Sequence, residues 1–303
     1  MKLARTLALC AGGCAILLGS ARASAHGFLG GRFFPPTIAT DDPFAVDELA
    51  LPTISWLRNP ADGVSPAFNE IDAGFEFDKE IFPFFALGIS DTYIFQHPDR
   101  GPDTRGWDNL AFTAKYEFFH NVDHEVILSA GMAADLGRSG NRSVASPDSD
   151  LTPTFYFGKG FGDLPDSLWT LQPFAVTGTL AQQFQISGTD SNALQWGFAV
   201  EYSIPYLQQH VRDVGIPAPL SEMTPVVEFA MQTGENRDQR GLTTGTVNPG
   251  VLWDSAYMQI GVEANVPISS RSGTHVGVTV QAWIFIDDIF PSVFGHPIFG
   301  DRP

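Results

Sequence analysis

Acidic side chains recur on one register of successive segments that alternate in polarity: Glu70, Asp72, Glu76, Glu117, Glu125, Asp135, Glu201, Glu228, Glu263 and Asp287. Carboxylates gathered on one side of a wall that encloses water set up a negative potential, which concentrates cations and repels anions. Lys115 shares that register, and His275 is a second candidate base. In a narrow barrel the same groups can instead hydrogen-bond across the interior and fill it. The sequence leaves both outcomes open.

Other residues with chemical potential read more plainly. His26, exposed as a new amino terminus by processing, would offer half of a copper brace, but no other histidine stands at a supporting spacing. His120 and His124 lie four apart beside Asp123 and Glu125, a spacing used by zinc sites on regular elements; here they fall in an expected tight turn and read as solvated. Gly158, Gly160 and Gly162 lack the following helix and Lys-Ser/Thr of a phosphate loop. Alternate glycines on one strand face mark curvature or a close approach of other chain. None of the seven histidines is followed two positions on by a serine, and G-x-S-x-G is absent. No catalytic residue, metal ligand or cofactor is therefore assigned, and the chain is read as a non-enzyme.

Presenting such groups on a wall requires strands, and the amino terminus says where those strands fold. Lys2 and Arg5 precede an apolar run from Leu7 to Leu18 and then Ala23-Ser24-Ala25, the pattern of a signal peptide cleaved after residue 25. The run is too short to span a bilayer as a helix. Both cysteines, Cys10 and Cys14, would leave with it, as would Lys2, Arg5 and Arg22, making a chain of net charge −17 more acidic still. A nucleic-acid partner is excluded by that balance.

From residue 48 onward the chain alternates with period two. Leu110, Phe112, Ala114, Tyr116 and Phe118 oppose Asn109, Thr113, Lys115 and Glu117; Leu194, Trp196, Phe198, Val200 and Tyr202 oppose Gln195, Gly197, Ala199 and Glu201. A soluble sandwich would alternate too. Three features favour lipid: small hydrogen-bonding residues on the polar face, aromatics such as Trp107, Trp169, Trp196 and Trp253 near segment ends, and connections of alternating length. Eleven strands are read at 48–57, 68–78, 83–96, 107–119, 124–136, 152–161, 170–186, 193–204, 222–233, 251–266 and 275–287. An even number is expected, so the twelfth is sought in the Phe-rich tail, 289–299. Short periplasmic turns are expected at 78–82, 120–124 and 267–274, and external loops at 58–69, 97–106, 137–152 and 234–250. The connections 187–192 and 205–221 fit this scheme less well.

The chain resembles the family of outer-membrane transporters associated with the meta-pathway of phenol degradation. The resemblance rests on the signal peptide, the strand spacing, Asn248-Pro249-Gly250 leading into Met258-Gln259-Ile260-Gly261-Val262, and the Val266-Pro267-Ile268 exit. It implies a pore or transporter-like barrel for hydrophobic or aromatic compounds, and carries over no functional residue. The expectation is thus an all-β protein: a signal peptide (1–25), an amino-terminal segment (26–47) that could plug the lumen, and an up-and-down antiparallel transmembrane barrel of about twelve strands (48–303). It would be a monomer in the Gram-negative outer membrane, contacting lipid and passing small solutes. The alternative is a barrel serving as a membrane anchor or surface-interaction module.

Overall fold

The computed structural model describes residues 27–61, 66–188 and 190–302. The expected signal peptide and His26 lie outside the described residues. A two-residue hairpin, β1 (Phe28–Leu29) and β2 (Arg32–Phe33), precedes thirteen further strands: β3 (Glu48–Asn59), β4 (Phe68–Phe82), β5 (Phe85–Pro98), β6 (Thr104–Trp107), β7 (Ala111–Asn121), β8 (Val126–Asp135), β9 (Asp150–Gly160), β10 (Phe174–Gln185), β11 (Ala193–Tyr202), β12 (Met223–Gly234), β13 (Thr243–Asp254), β14 (Met258–Pro267) and β15 (Gly277–Ile284). Each long strand pairs antiparallel with its sequence neighbour, and β15 returns to β3 through pairs such as Val280↔Ile54. The result is a closed barrel of twelve strands. The short β6 stands outside that count, pairing with the upper part of β5 (Tyr93↔Trp107) while β7 takes the lower part (Phe85↔Tyr116).

Closure decides between sandwich and transmembrane barrel. Ile54, Ile71, Leu87, Phe112, Phe155, Leu180, Trp196 and Val262 are exposed on the outer surface, and among the described residues no second sheet covers them. An apolar belt running round a closed sheet belongs in hydrocarbon, where a barrel leaves no unpaired strand edge. No described helix is long and apolar enough to cross a membrane.

The twelfth strand is not the tail. It is β13, whose first half falls in the expected loop 234–250 and whose second half was merged with β14. Gly245, Pro249 and Gly250 disguise it, because glycine and proline ordinarily end strands. A Cβ at Gly245 would stand 2.2 Å from the Ala230 carbonyl oxygen, so this crossing needs glycine. The ladder to β14 skips Asn248 and Pro249, and proline has no N–H to give it. The tail instead forms a helical turn, Ile286–Ile289, then runs beneath the barrel to pair loosely with the end of β4 (Ile298 N–H to Glu80 O, 3.2 Å; Phe299 N–H to Ile81 O, 2.9 Å).

With the extra strand in place, the connections sort differently. Residues 83–84, 122–125, 161–173, 203–222 and 255–257 share one end with both Glu48 and Ile284; residues 60–61, 66–67, 99–110, 136–149, 186–188, 190–192, 235–242 and 268–276 occupy the other. The expected periplasmic turn at 267–274 is therefore at the loop end, as are residues 186–188 and 190–192. The loop-length rule makes the end bearing the tight turns periplasmic. Two of its connections are long because they are folded and used: 203–222 contains helical turns at Ile204–Tyr206, Leu207–Val211 and Leu220–Glu222.

Candidate functional site

Most inward positions of such a barrel are polar, but Ile127, Val226, Leu252 and Trp283 are apolar and buried. Their partners come from the amino-terminal segment. Phe34, Phe44 and Val46 pack with Ile127; Ile38 packs with Ala199, Val226 and Leu252; Phe33 packs with Ala50, Trp283 and Phe285. Three inward glycines give the segment room. A Cβ at Gly158 would meet Ile127 at 2.7 Å and Pro43 at 3.1 Å, one at Gly197 would meet Thr40 Cγ2 at 2.6 Å, and one at Gly261 would meet Ile38 Cδ1 at 2.5 Å. A stretch that touches β8, β9, β11, β12, β13 and β14 of a closed ring lies inside that ring.

Polar contacts fix its course. It enters at the periplasmic end, where Arg32 is fully buried: Nε donates to Glu125 Oε2 (3.1 Å), the terminal nitrogens donate to the Pro173 and Gln172 carbonyls (3.1 and 2.6 Å), and the guanidinium stacks 3.5 Å from the Tyr206 ring centre. Tyr206 closes the set by donating its hydroxyl to Glu125 Oε1 (2.8 Å). Burial, reinforced by the Glu125 carboxylate, pushes the Tyr206 phenol up to about 12, so it remains a donor. Further in, Gln259 Nε2 donates to the Pro36 carbonyl (2.7 Å).

At the apex, three successive backbone amides converge on one side chain. Ile38 N–H donates to Glu228 Oε1 (2.6 Å), while Ala39 N–H (3.0 Å), Thr40 N–H (2.6 Å) and the Thr40 hydroxyl (2.7 Å) donate to Oε2. Consecutive amides arranged around a carboxylate make charge-assisted bonds, the strong class of hydrogen bond in a dry interior. The segment then descends along the opposite wall. Lys115 binds Asp41 (2.8 Å) and the Asp42 carbonyl (3.0 Å), Ser129 donates to the Pro43 carbonyl, and Ala45 N–H donates to Glu117 Oε1 (2.7 Å).

Where the segment meets the barrel, Asp47 collects Lys79 Nζ (2.7 and 2.9 Å), Glu80 N–H (2.7 Å) and Gly295 N–H (2.8 Å). The last donor belongs to the carboxy-terminal tail, which contributes Arg302 as well: it bonds Glu80 Oε1 (2.7 Å) and the Ala45 carbonyl (3.3 Å) and lies over Phe84. One knot thus ties the segment, the β4 end and the tail together.

The residues singled out from sequence distribute around this core. Glu117, Glu201, Glu228 and Glu263 are buried on wall strands; Glu201 accepts from Thr177 (3.2 Å), and Glu263 leans over Gly250. Glu70, Asp72 and Glu76 line β4, where Glu70 accepts from Gln96 (2.7 Å) and Asp72 from Ser55 (2.9 Å). Asp135 ends β8 opposite Asp150. Glu125 sits in the turn 122–125 with φ of 47° rather than on a strand, and Asp287 is buried in the helical turn after β15. His275 is exposed in the loop 268–276, away from the interior, and hydrogen-bonds Thr274 (2.9 Å). His124 is exposed and pairs with Asp163 (3.1 Å); among the described residues no cluster of three or more potential ligands could hold a metal. Arg32, Asp41, Asp47, Gln259 and Arg302 were not anticipated. The signal that could have found them is the apolar inward exceptions on β8, β12, β13 and β15, which call for an apolar partner inside.

Above the apex the interior opens outward. A cavity of about 420 Å³ is floored by Ala39, Thr40 and Asp41 and walled by Thr152, Thr154, Thr179, Gln195, Gln232 and Thr244. The carboxylates that bind the segment lie below that floor.

No protein-family model matches the chain, and no curated protein matches it. A solved outer-membrane channel from Pseudomonas putida F1 is similar in structure, with a TM-score of 0.53 at 12% identity over 83% of this chain and 99% of that one. A KdgM porin gives 0.42 at 12% identity over 77% and 98%, and outer membrane phospholipase A from Escherichia coli gives 0.42 at 8% identity over 86% and 94%. The first likeness establishes a shared fold, that of an outer-membrane β-barrel; the other two are too loose to argue from. Of the family resemblance read from sequence, this supports the barrel and does not extend to phenol degradation.

Proposed function

We propose that the chain is a monomeric outer-membrane channel for small solutes in which residues 27–47 serve as an internal plug and open the path when they shift. The observation that carries this reading is the grip of Glu228 on the amides of residues 38–40, at the apex of a segment lining the inside of the wall. A segment covalently continuous with β3 and held largely by hydrogen bonds and a few side-chain clusters can undock locally at less cost than unfolding the barrel. The acidic wall then acts first as the plug's receptor; its negative potential would bear on permeating ions once the plug has moved. The interior occupied by the chain's own residues also suits a plain membrane anchor, the second reading.

Planar-bilayer recording of the purified full chain separates the two. The channel reading expects brief, infrequent openings that become frequent when residues 28–46 are replaced by a flexible glycine-serine linker. An unbroken baseline from both proteins would leave the anchor. If current flows, exchanging Glu117 and Glu201 for Gln in the linker variant should reduce cation preference; an unchanged reversal potential would remove the acidic lumen from the account.

A further inference from the structure

We propose that the external vestibule is a binding site for neutral, hydroxyl-rich solutes of sugar size. This deepens the channel reading by naming the solute class that would enter. Two adjoining chambers of about 420 and 410 Å³ share Gln195, Gln232 and Thr244, each within the size range of sites that enclose small ligands. The deeper chamber ends on Thr40 at the apex of the internal segment, so whatever settles there rests against the element whose movement would open the path.

The lining selects by what it offers. Threonine hydroxyls and glutamine amides both donate and accept, matching a solute whose hydroxyls do the same. Among the described residues no lysine or arginine lines either chamber, so an anion finds no counter-charge. The acids there are Asp41, already held by Lys115 at 2.8 Å, and Asp190 near the mouth. A flat apolar solute fares no better: among the described residues the inward apolar side chains are alanines and, in the outer chamber, Leu242, with Tyr156 the single inward aromatic, while Trp196 and Met231 belong to the outward register. A cavity walled by amides and hydroxyls rejects a ligand that leaves them unpaired. The wall is also preformed. Gln183 bridges Asp150 (2.7 Å) and Gln195 (3.3 Å), which fixes Gln195 in place.

The test is saturation-transfer NMR on the full chain in a detergent without sugar headgroups, with sucrose, sodium benzoate and inorganic phosphate as probes. Sucrose should receive saturation, and Gln195→Leu combined with Gln232→Leu should weaken it about tenfold, the loss of roughly two neutral hydrogen bonds. Should that pair fail to give the heat-modifiable gel mobility of a folded barrel, Thr152→Val with Thr179→Val removes hydroxyls at nearly constant shape and should act in the same direction. Benzoate and phosphate should bind more weakly than sucrose in every protein. No transfer to sucrose, equal transfer in the folded variants, or tighter benzoate binding overturns the proposal. Because equilibrium binding is read, a chain that binds sucrose but passes no current defeats the channel reading alone, and one that conducts yet ignores sucrose defeats this site alone.

Discussion

Thr40 donates both its backbone N–H, at 2.6 Å, and its hydroxyl, at 2.7 Å, to the same oxygen of Glu228. Two donors from one residue on one carboxylate oxygen set the height and rotation of the segment's apex, and a single atom change should release it. Glu228→Gln keeps one acceptor and turns the other into a donor that faces N–H groups. Docking of residues 38–40 should weaken by about 2 kcal/mol, roughly thirtyfold in the equilibrium. Amide hydrogen exchange at these positions should quicken correspondingly while the barrel strands remain protected; uniform protection in the variant would refute the role assigned to Glu228.

Arg32 and Glu125 form a buried ion pair whose other hydrogen-bonding capacity is met by carbonyls, Tyr206 and the Gly162 N–H. Removing one partner leaves an uncompensated buried charge, at a cost of about 3–5 kcal/mol. Arg32→Met should therefore lower the urea midpoint, and adding Glu125→Gln should recover part of the loss. Strict additivity of the two changes would show that the pair is not coupled.

The knot at Asp47 predicts joint loosening of the two ends of the chain. Asp47→Asn weakens the contacts to Lys79, Glu80 and Gly295 together, so exchange should quicken both in the tail and in residues 44–47. Arg302→Ala removes a partly exposed pair and should have the smaller effect, below about 1 kcal/mol. Quickening confined to the tail in the Asp47 variant would mean that the tail does not brace the segment.

Asp42 gives the segment a pH dependence. Burial pushes its carboxyl up to about 7, with Asp41 and Asp78 adding repulsion, while Lys115 and the Phe44 N–H (2.8 Å) oppose the shift; Glu48 faces it as well. Because the folded value lies above the unfolded value of 3.8, the folded state holds the extra proton between them, and this group's contribution to docking declines as pH rises from about 4 to 7. Exchange of residues 41–46, corrected for intrinsic rate, should be slower at pH 5 than at pH 8, and Asp42→Asn should flatten the profile. Tighter docking at pH 8 would contradict the assignment.

The barrel was legible because lipid and interior impose opposite demands on alternate residues, and β11 carries that imprint along its whole length. β13 was hidden because its glycines and proline serve close strand contact and a skipped ladder bond, needs that resemble loop chemistry in a string of letters. The carboxylates could be placed on a register, but their partners could not: Glu228 and Glu117 are held by backbone N–H groups, which every residue but proline possesses and no sequence pattern advertises. The long connection 203–222 breaks the expected alternation of lengths because it brings Tyr206 beneath Arg32, a use no local pattern advertises.

The central claim is that residues 27–47 must move for the barrel to conduct. Three of the hydrogen bonds that hold residues 38–40 at the apex end on Glu228 Oε2, so Glu228→Gln is the smallest change that should free the segment. Single-channel recording should show rare openings from the parent chain and frequent ones from Glu228→Gln. Equal current from the two proteins would mean that solutes pass a segment that stays in place.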